Sequence, residues 1–204
     1  MNITAYIISC PQRAELLQAT LTSLKQSDWV GEPVIVADQS RHSDGRVRQT
    51  ETSLRLLQQA VADGAPFFCF FEDDLSFNKY ILYNIYNWPP FQQCNQHFFS
   101  SLYDPGWTGA SYDPGSYGGK SWYTVDVNRS YGSQAYLLSA TTGKHIMDNW
   151  ESVPGMQDIK MTRAAGMVTR MYYHYPALVQ HVGKESVWGG HYHYSRSFDP
   201  NWKA

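Results

Sequence analysis

Three apolar runs, separated by patterns typical of amphipathic helices, constrain the fold of this chain more than any other feature of its sequence. The runs lie at residues 3–8, 33–37 and 67–71, and each is almost continuously apolar. Between them, apolar side chains recur at the three- and four-residue spacing of a helix that is buried on one side. Strands buried on both faces and alternating with helices are typical of a parallel sheet. The sequence therefore predicts an α/β fold with a mostly parallel central sheet and helices on both faces.

The length of 204 residues is enough for one domain with a sizeable core and short for two. No internal repeat and no linker divides the sequence, so we predict a single domain, 1–204. A third helix is predicted from Ser76, as its cap, to Trp88, where two prolines follow. Residues 91–129 are rich in Gly, Tyr, Ser, Pro and Asp and show no clear period, which predicts a long loop.

Composition and charge narrow the classes of protein that fit. The formal net charge is −2, so the chain lacks the global basic field that attracts nucleic acid. No stretch of eighteen apolar residues is present, which predicts a protein without a membrane span. The first residues form a strand pattern rather than a leader, so we predict a cytoplasmic protein. Aromatic residues make up 15% of the chain, and their flat faces suit sugar rings and bases as well as a protein core.

The strongest local signal is the acidic triplet Glu72-Asp73-Asp74, which directly follows the third apolar run. Ligands gather at the carboxyl ends of the strands of an open α/β sheet. Adjacent carboxylates repel one another unless a cation or solvent intervenes, and oxygen ligands favour hard ions such as Mg²⁺ or Mn²⁺. The triplet has a second interpretation, as a solvated acidic turn before the next helix. Its place directly after a buried strand favours the metal site.

Three short motifs follow the triplet along the chain. Gly132 lies in a Tyr-Gly-Ser-Gln-Ala-Tyr segment at the start of a predicted strand. Asp158 follows Gln157 at the start of a predicted helix, and His181 lies in a late β-like stretch. Taken singly, they are an ordinary bend, a first-turn helix residue and a partly buried histidine. Their order along the chain is what indicates a function.

With the acidic triplet and Asp38, this order resembles that of glycosyltransferases of the GT-A fold, over nearly the whole chain. The resemblance implies a Rossmann-like sheet with a DXD-type acidic motif after an early strand. It implies that Asp74 and His181 hold Mn²⁺ or Mg²⁺ at the diphosphate of a nucleotide sugar. Glu72 and Asp73 would contact the donor, and Asp38 would lie near the nucleotide base or ribose.

The resemblance also assigns the later motifs. Gly132 would lie near the donor sugar, and Asp158 matches the aspartate that serves as catalytic base in inverting members. Gln157 departs from the pattern, since an acid usually precedes that aspartate. Arg13, just after the first strand, has two interpretations that do not depend on the resemblance: a contact to the diphosphate or the base, or an ordinary residue at a helix start. Residues 1–90 would then be the nucleotide-binding half of the domain and residues 91–204 its acceptor-binding half.

The resemblance thus implies a metal-dependent transfer of sugar from a UDP-sugar or similar donor to an acceptor hydroxyl, with inversion if Asp158 is the base. The acceptor side is predicted from the aromatic stretches 91–129 and 183–202. A glycan acceptor is favoured by the slightly acidic net charge, with hydroxymethylated bases in DNA as the alternative. His191 and His193 alternate in the second stretch and would share one face of a strand; no metal is assigned to them.

Two other classes of protein remain as alternatives. A nucleotidyltransferase on a similar fold would hold a triphosphate with a basic, glycine-rich loop after the first strand. Here that turn is Ser9-Cys10-Pro11-Gln12-Arg13, which contains neither glycine nor lysine. A non-catalytic sugar-binding module would use the many aromatics without chemistry, but it would not need Asp74, Asp158 and His181 together.

Overall fold

A seven-stranded sheet forms the centre of the computed structural model, which describes residues 2–106, 121–184 and 193–204. The strands in chain order are β1 (Ile3–Ser9), β2 (Val34–Ala37), β3 (Phe67–Phe71), β4 (Leu75–Phe77), β5 (Phe99–Ser101), β6 (Trp122–Val125), β7 (Ala135–Ser139), β8 (Met171–His174) and β9 (Val179–His181). The central sheet has the order β2-β1-β3-β7-β5-β8-β6, and β4 pairs with β9 in a small antiparallel sheet.

The direction of the strands confirms the predicted mostly parallel sheet. β1 is parallel to both β2 and β3, and β5 is parallel to β8. β7 runs antiparallel to β3 and β5, and β6 runs antiparallel to β8. Five strands therefore point one way, and β6 and β7 point the other.

Helices cover both faces of the sheet, as predicted. They are α1 (Ala14–Lys25), α2 (Gly45–Ala62), α3 (Ile81–Tyr86), α4 (Pro89–Gln92), α5 (Ala140–Asp148) and α6 (Gln157–Gly166). One core joins the sheet to α1, α3 and α4 through residues such as Leu24, Ile81 and Phe91. The other joins it to α2, α5 and α6 through Leu56 and Ile146, among others. The two apolar layers fix the sheet between them and leave its strand ends open.

The predicted helix from Ser76 to Trp88 is wrong at both ends. Ser76 lies in β4, and the helix α3 begins only at Ile81. A strand forms here because its partner β9, about a hundred residues away, satisfies its backbone groups. Pro89 does not end a helix but starts α4, where a missing N–H leaves no hydrogen bond unmade.

The predicted long loop at 91–129 contains two strands of the central sheet, β5 and β6. Each is only three or four residues long, and β5 is hydrogen-bonded on both sides, to β7 and β8. Strands this short carry too few side chains to show a period of two. Residues 107–120 of the same stretch lie outside the described residues.

No helix in the described parts of the chain is both long and apolar enough to cross a membrane.

A buried histidine makes the stability of this fold depend on pH. His174 is 1% exposed, and its ring packs 5.0 Å from that of Trp88 and 5.5 Å from that of Trp202. Nδ1 donates to the carbonyl of Pro176 at 2.7 Å. Burial lowers the pKa of His174 from 6.5 to about 4, although the Pro176 hydrogen bond opposes the shift.

We expect His174 to cost stability as the pH falls. Between pH 6.5 and 4 the unfolded chain binds a proton at this residue while the folded protein does not, so the free energy of unfolding decreases. Relative to a His174→Gln variant, the wild-type protein should lose about 2 kcal/mol between pH 7 and pH 5. Urea unfolding at both pH values measures this difference, with exposed His42→Gln as control. A gap between wild type and His174→Gln that stays constant with pH would contradict the prediction.

Candidate active site

A cleft opens at the carboxyl ends of β1, β2 and β3, where parallel strands bring their following loops together. The residues that line it are Ile8, Ser9, Cys10, Arg13, Asp38, Gln49, Thr52, Glu72 and Asp73. Four of the residues singled out in the sequence, Arg13, Asp38, Glu72 and Asp73, therefore share one cleft.

Arg13 forms ion pairs with two members of the acidic triplet. Its Nε lies 2.9 Å from Asp73 Oδ1, and its Nη2 donates to Asp74 Oδ2. Ser9 Oγ donates to the other oxygen of Asp73 at 2.6 Å. Burial raises the pKa of Asp73, and the Ser9 hydrogen bond and the Arg13 charge only partly offset it. In this structure Arg13 neutralises carboxylates and lines the cleft at the same time.

Asp74 also contacts His181, in addition to its ion pair with Arg13. The Nε2 of His181 donates to Asp74 Oδ2 at 3.0 Å, so that oxygen is shared between His181 and Arg13. The Oδ1 of Asp74 is buried without a hydrogen-bond partner among the described residues, in a residue that is 2% exposed. Burial acts to raise the pKa of Asp74, but the hydrogen bond and charge of His181 and the charge of Arg13 hold it below its usual value.

The small sheet of β4 and β9 places these two residues together. Leu75 pairs with His181, and the N–H of Val182 donates to the carbonyl of Asp74 at 2.9 Å. Thr20 on α1 holds the other side: its Oγ1 donates to the carbonyl of Asp73 at 2.7 Å and accepts from the N–H of Leu75 at 2.9 Å. The backbone around the triplet is therefore fixed from two directions.

His193 packs against His181. The two rings stack with their centroids 4.7 Å apart, and His181 Nδ1 donates to the carbonyl of His193 at 3.2 Å. Tyr103 OH lies 2.7 Å from His193 Nδ1. Burial lowers the pKa of His181, but the hydrogen bond and charge of Asp74 outweigh it and raise the pKa overall. His191, the predicted face partner of His193, lies outside the described residues.

Gly183 fits against Asp74 because it has no side chain. A Cβ at this position would overlap Asp74 Oδ2 and crowd the Cγ of the same carboxylate. Nothing in the local sequence separates this glycine from an ordinary loop residue, and only the approach of the two segments shows its role.

We expect Gly183→Ala to displace the Asp74 carboxylate and to weaken by about tenfold any binding of a divalent ion at that carboxylate. The added methyl group occupies the place of Asp74 Oδ2, while the charge of the site stays the same. Isothermal titration with UDP, with and without Mn²⁺, measures the effect. Val182→Ala, at the adjacent exposed residue, is the matched control. Unchanged Mn²⁺ dependence in Gly183→Ala would show that the carboxylate need not be held at this point.

Glu72 lies on the other side of the triplet and belongs to a second network. Ser133 Oγ donates to Glu72 Oε1 at 2.7 Å, and Gln157 Nε2 donates to Ser133 Oγ at 3.1 Å. Burial and the charge of Asp74 raise the pKa of Glu72 to about 7, against the hydrogen bond from Ser133. Gln157, which departs from the family pattern, thus supports the residue that holds Glu72.

Asp158 joins this network through the backbone. Its Oδ2 accepts from the N–H of Gly132 and its Oδ1 from that of Ile159, both at 2.9 Å. Gly132 has a φ of +86°, which favours glycine, and a Cβ there would lie 2.6 Å from Gln134 Oε1. Gly132 and Ser133 therefore connect Asp158, at the start of α6, to Glu72, at the end of β3.

Asp38 faces the cleft from the end of β2. Its carboxylate accepts from Arg48 Nε at 3.0 Å and from the N–H of Ser40 at 2.9 Å. The side chain is thereby oriented before any ligand binds. Sequence reasoning located Asp38 correctly in the cleft and missed Arg48.

The residues around Asp74 fit a hard divalent ion with only two protein ligands. No group of three metal-binding side chains occurs in residues 2–106, 121–184 and 193–204. An ion bound by Asp74 and His181 would replace the 3.0 Å hydrogen bond that joins Asp74 Oδ2 and His181 Nε2. Ions such as Mg²⁺ are often held by one or two protein ligands and complete their shell with water and substrate phosphates. The unpaired Asp74 Oδ1 is a further oxygen available to such an ion.

Comparison with known proteins gives a fold similarity and no sequence match. Neither a known protein family nor a curated protein matches the sequence. Among solved structures, the chain is similar to a glycosyltransferase involved in the glycosylation of the major capsid of PBCV-1. The two are 11% identical with a TM-score of 0.41, over 76% of this chain and 69% of that one.

Proposed function

We propose that this chain is a metal-dependent glycosyltransferase that moves a sugar from a nucleotide diphosphate donor, such as a UDP-sugar, to an acceptor hydroxyl with inversion. The observation that carries the proposal is the state of Asp74. Its carboxylate is buried beside His181 at the carboxyl end of a parallel strand, with one oxygen unpaired among the described residues. A buried acceptor without a donor is costly, and a cation bound at this carboxylate would satisfy it.

The reaction breaks the bond between the sugar and the diphosphate, which leaves with increasing negative charge. A bound Mn²⁺ or Mg²⁺, held by Asp74 and His181, would supply charge stabilisation to that leaving group. Asp38, whose carboxylate is held by Arg48, would contact the nucleotide base or ribose. Glu72 and Asp73, which also line the cleft, would contact the donor there.

Asp158 is the proposed catalytic base. It lies in the first turn of α6, at the start of the helix. Gly132, which it holds, begins the segment that carries Ser133 to Glu72. An ionised carboxylate at this place accepts the proton of the acceptor hydroxyl as that oxygen attacks the sugar.

A glycan is the proposed acceptor. Tyr131, next to Gly132, and Tyr194, next to His193, are about half exposed and border the two networks of the site. Aromatic faces of this kind stack on sugar rings. The remaining parts of the predicted acceptor side, residues 107–120 and 185–192, lie outside the described residues.

A screen of nucleotide sugars tests the proposal. The protein is incubated with each donor in the presence of Mn²⁺ or of a chelator, and release of nucleoside diphosphate is measured. We expect slow hydrolysis of one donor class that stops when the metal is chelated. Donor binding without hydrolysis would favour a non-catalytic module, and release of pyrophosphate from a nucleoside triphosphate would favour a nucleotidyltransferase.

Transfer to labelled glycans and to duplex DNA with a hydroxymethylated base then separates the two acceptors. Contacts to several phosphates would make acceptor affinity fall steeply with salt, whereas a neutral glycan would show little change. We expect transfer to the glycan with weak salt dependence. Label on the DNA, together with a steep salt dependence, would replace the glycan as the acceptor.

A further inference from the structure

We propose that Arg13 and the divalent ion exclude each other at Asp74, so that binding of the ion releases Arg13 to hold the donor diphosphate. This inference depends on the proposed function, since it concerns the metal and donor of the same site. It assigns Arg13 two alternating partners: the acidic triplet before the ion binds, and the donor afterwards. Metal and donor would then bind cooperatively.

The contacts of Asp74 show why the two cations compete. Arg13 Nη2 and His181 Nε2 both donate to the same oxygen, Oδ2. An ion held by Asp74 and His181 would replace one of these hydrogen bonds. Whether it bound Oδ2 or Oδ1, which is unpaired among the described residues, it would share one carboxylate with the guanidinium. Two cations on one carboxylate repel strongly in a buried place, where water screens them little.

The charges of the triplet also indicate that Arg13 and a divalent ion compete for Asp74. Arg13 pairs with Asp73 and Asp74, and the charge of the neighbouring Glu72 also acts on it. With Arg13 in place, the triplet already has its counter-ion. A divalent ion that binds Asp74 would neutralise the carboxylate in its place. The attraction between that carboxylate and the guanidinium would then be weaker.

In the cleft, the side chain of Arg13 could bind a diphosphate instead of the triplet. Arg13 ends the short 3-10 helix Pro11–Arg13 between β1 and α1, and its side chain is 13% exposed and lines the cleft. Asp38, the other carboxylate in reach of the cleft, already has Arg48 as its partner. A diphosphate bound between them would present oxygens that match the planar donors of a guanidinium.

Titration of the protein with MnCl₂ alone tests the exclusion directly. We expect Arg13→Met to bind Mn²⁺ about tenfold more tightly than the wild type when no nucleotide is present, because the competing cation is gone. We also expect saturating UDP to tighten Mn²⁺ binding by about tenfold in the wild type and much less in Arg13→Met. Lys144→Met removes the same charge from a surface ion pair and should match the wild type. Arg13→Gln, which keeps hydrogen-bond donors without the charge, gives the same measurement if the methionine variant does not fold.

Each outcome decides for or against the exclusion. Tighter Mn²⁺ binding in either Arg13 variant, with loss of the UDP effect, supports it; equal or weaker Mn²⁺ binding overturns it. If the wild type binds UDP without any dependence on Mn²⁺ and Arg13→Met loses UDP binding, Arg13 replaces the ion altogether. That result overturns the exclusion and leaves glycosyl transfer standing. A wild type that binds no nucleoside diphosphate sugar at all would instead remove the proposed function.

Discussion

Replacing Asp74 by asparagine is expected to lower sugar transfer by about 10²–10³-fold and to remove the Mn²⁺ dependence of donor binding. The change takes away the charged oxygen ligand of a hard ion, and a metal ion that neutralises a leaving group contributes several kcal/mol to the transition state. Asparagine has nearly the same shape, so the buried packing around the residue is kept. Transfer rates and UDP titrations at varied Mn²⁺ measure the effect.

Two further variants make this result specific. Asp148→Asn removes a carboxylate from an exposed ion pair on α5 and should leave transfer unchanged. His181→Ala should weaken the Mn²⁺ dependence less than Asp74→Asn does, because a neutral nitrogen ligand contributes less charge. A protein in which Asp74→Asn keeps the full Mn²⁺ dependence of donor affinity would not use Asp74 as a metal ligand.

Asp158→Asn is expected to lower turnover by about 10²–10⁴-fold while changing UDP affinity by less than about threefold. A base acts on the proton of the acceptor, so its loss affects turnover and not donor binding. Single-turnover transfer at saturating donor and acceptor measures the first quantity, and calorimetry with UDP measures the second. Asp126→Asn, which changes a similar capping residue at an exposed 3-10 helix, is the control.

The contacts of Asp158 require one more comparison. Both carboxylate oxygens accept backbone N–H groups, so asparagine disturbs the Gly132 contact as well as the charge. Gly132→Ala disturbs the same contact by a clash with Gln134 and by an unfavourable φ, and leaves the carboxylate intact. A base should make Asp158→Asn at least tenfold slower than Gly132→Ala. Equal losses in the two variants would assign Asp158 a structural role.

Local patterns in the sequence predicted the first three strands and the loops that follow them. The apolar runs at 3–8, 33–37 and 67–71 became three adjacent parallel strands. β1 and β3 are buried, whereas β2 lies at the edge of the sheet and is partly exposed. Since the ends of such strands meet at one edge, Asp38, Glu72 and Asp73 are expected to share one cleft, and they do; Asp74 is buried and is not among the residues that line it.

Contacts between distant segments could not be predicted in this way. β4 looked like the start of a helix because its partner β9 is far along the chain. Gly183 and Ser133 contact the triplet only after the chain has folded back. Both lie in segments that the sequence indicates as functional, but on account of His181 and Gly132 rather than these two residues. Thr20 left a faint signal, as a polar residue among the leucines on the buried face of α1. The ion pairs of Arg13 with Asp73 and Asp74 were not predicted. The sequence shows that these charged residues are present, but it does not show which of them are in contact.

The pairing of β4 with β9 determines when Asp74 and His181 can meet in a newly made chain. Asp74 and His181 are 107 residues apart, so they meet only after most of the chain has left the ribosome. The first three strands can assemble earlier, since they are joined by local helix connections. A nascent chain at that stage would present the triplet neutralised by Arg13 and without its histidine. Synthesis itself thus delays the meeting of Asp74 and His181 until the segment that carries β9 has folded back onto β4.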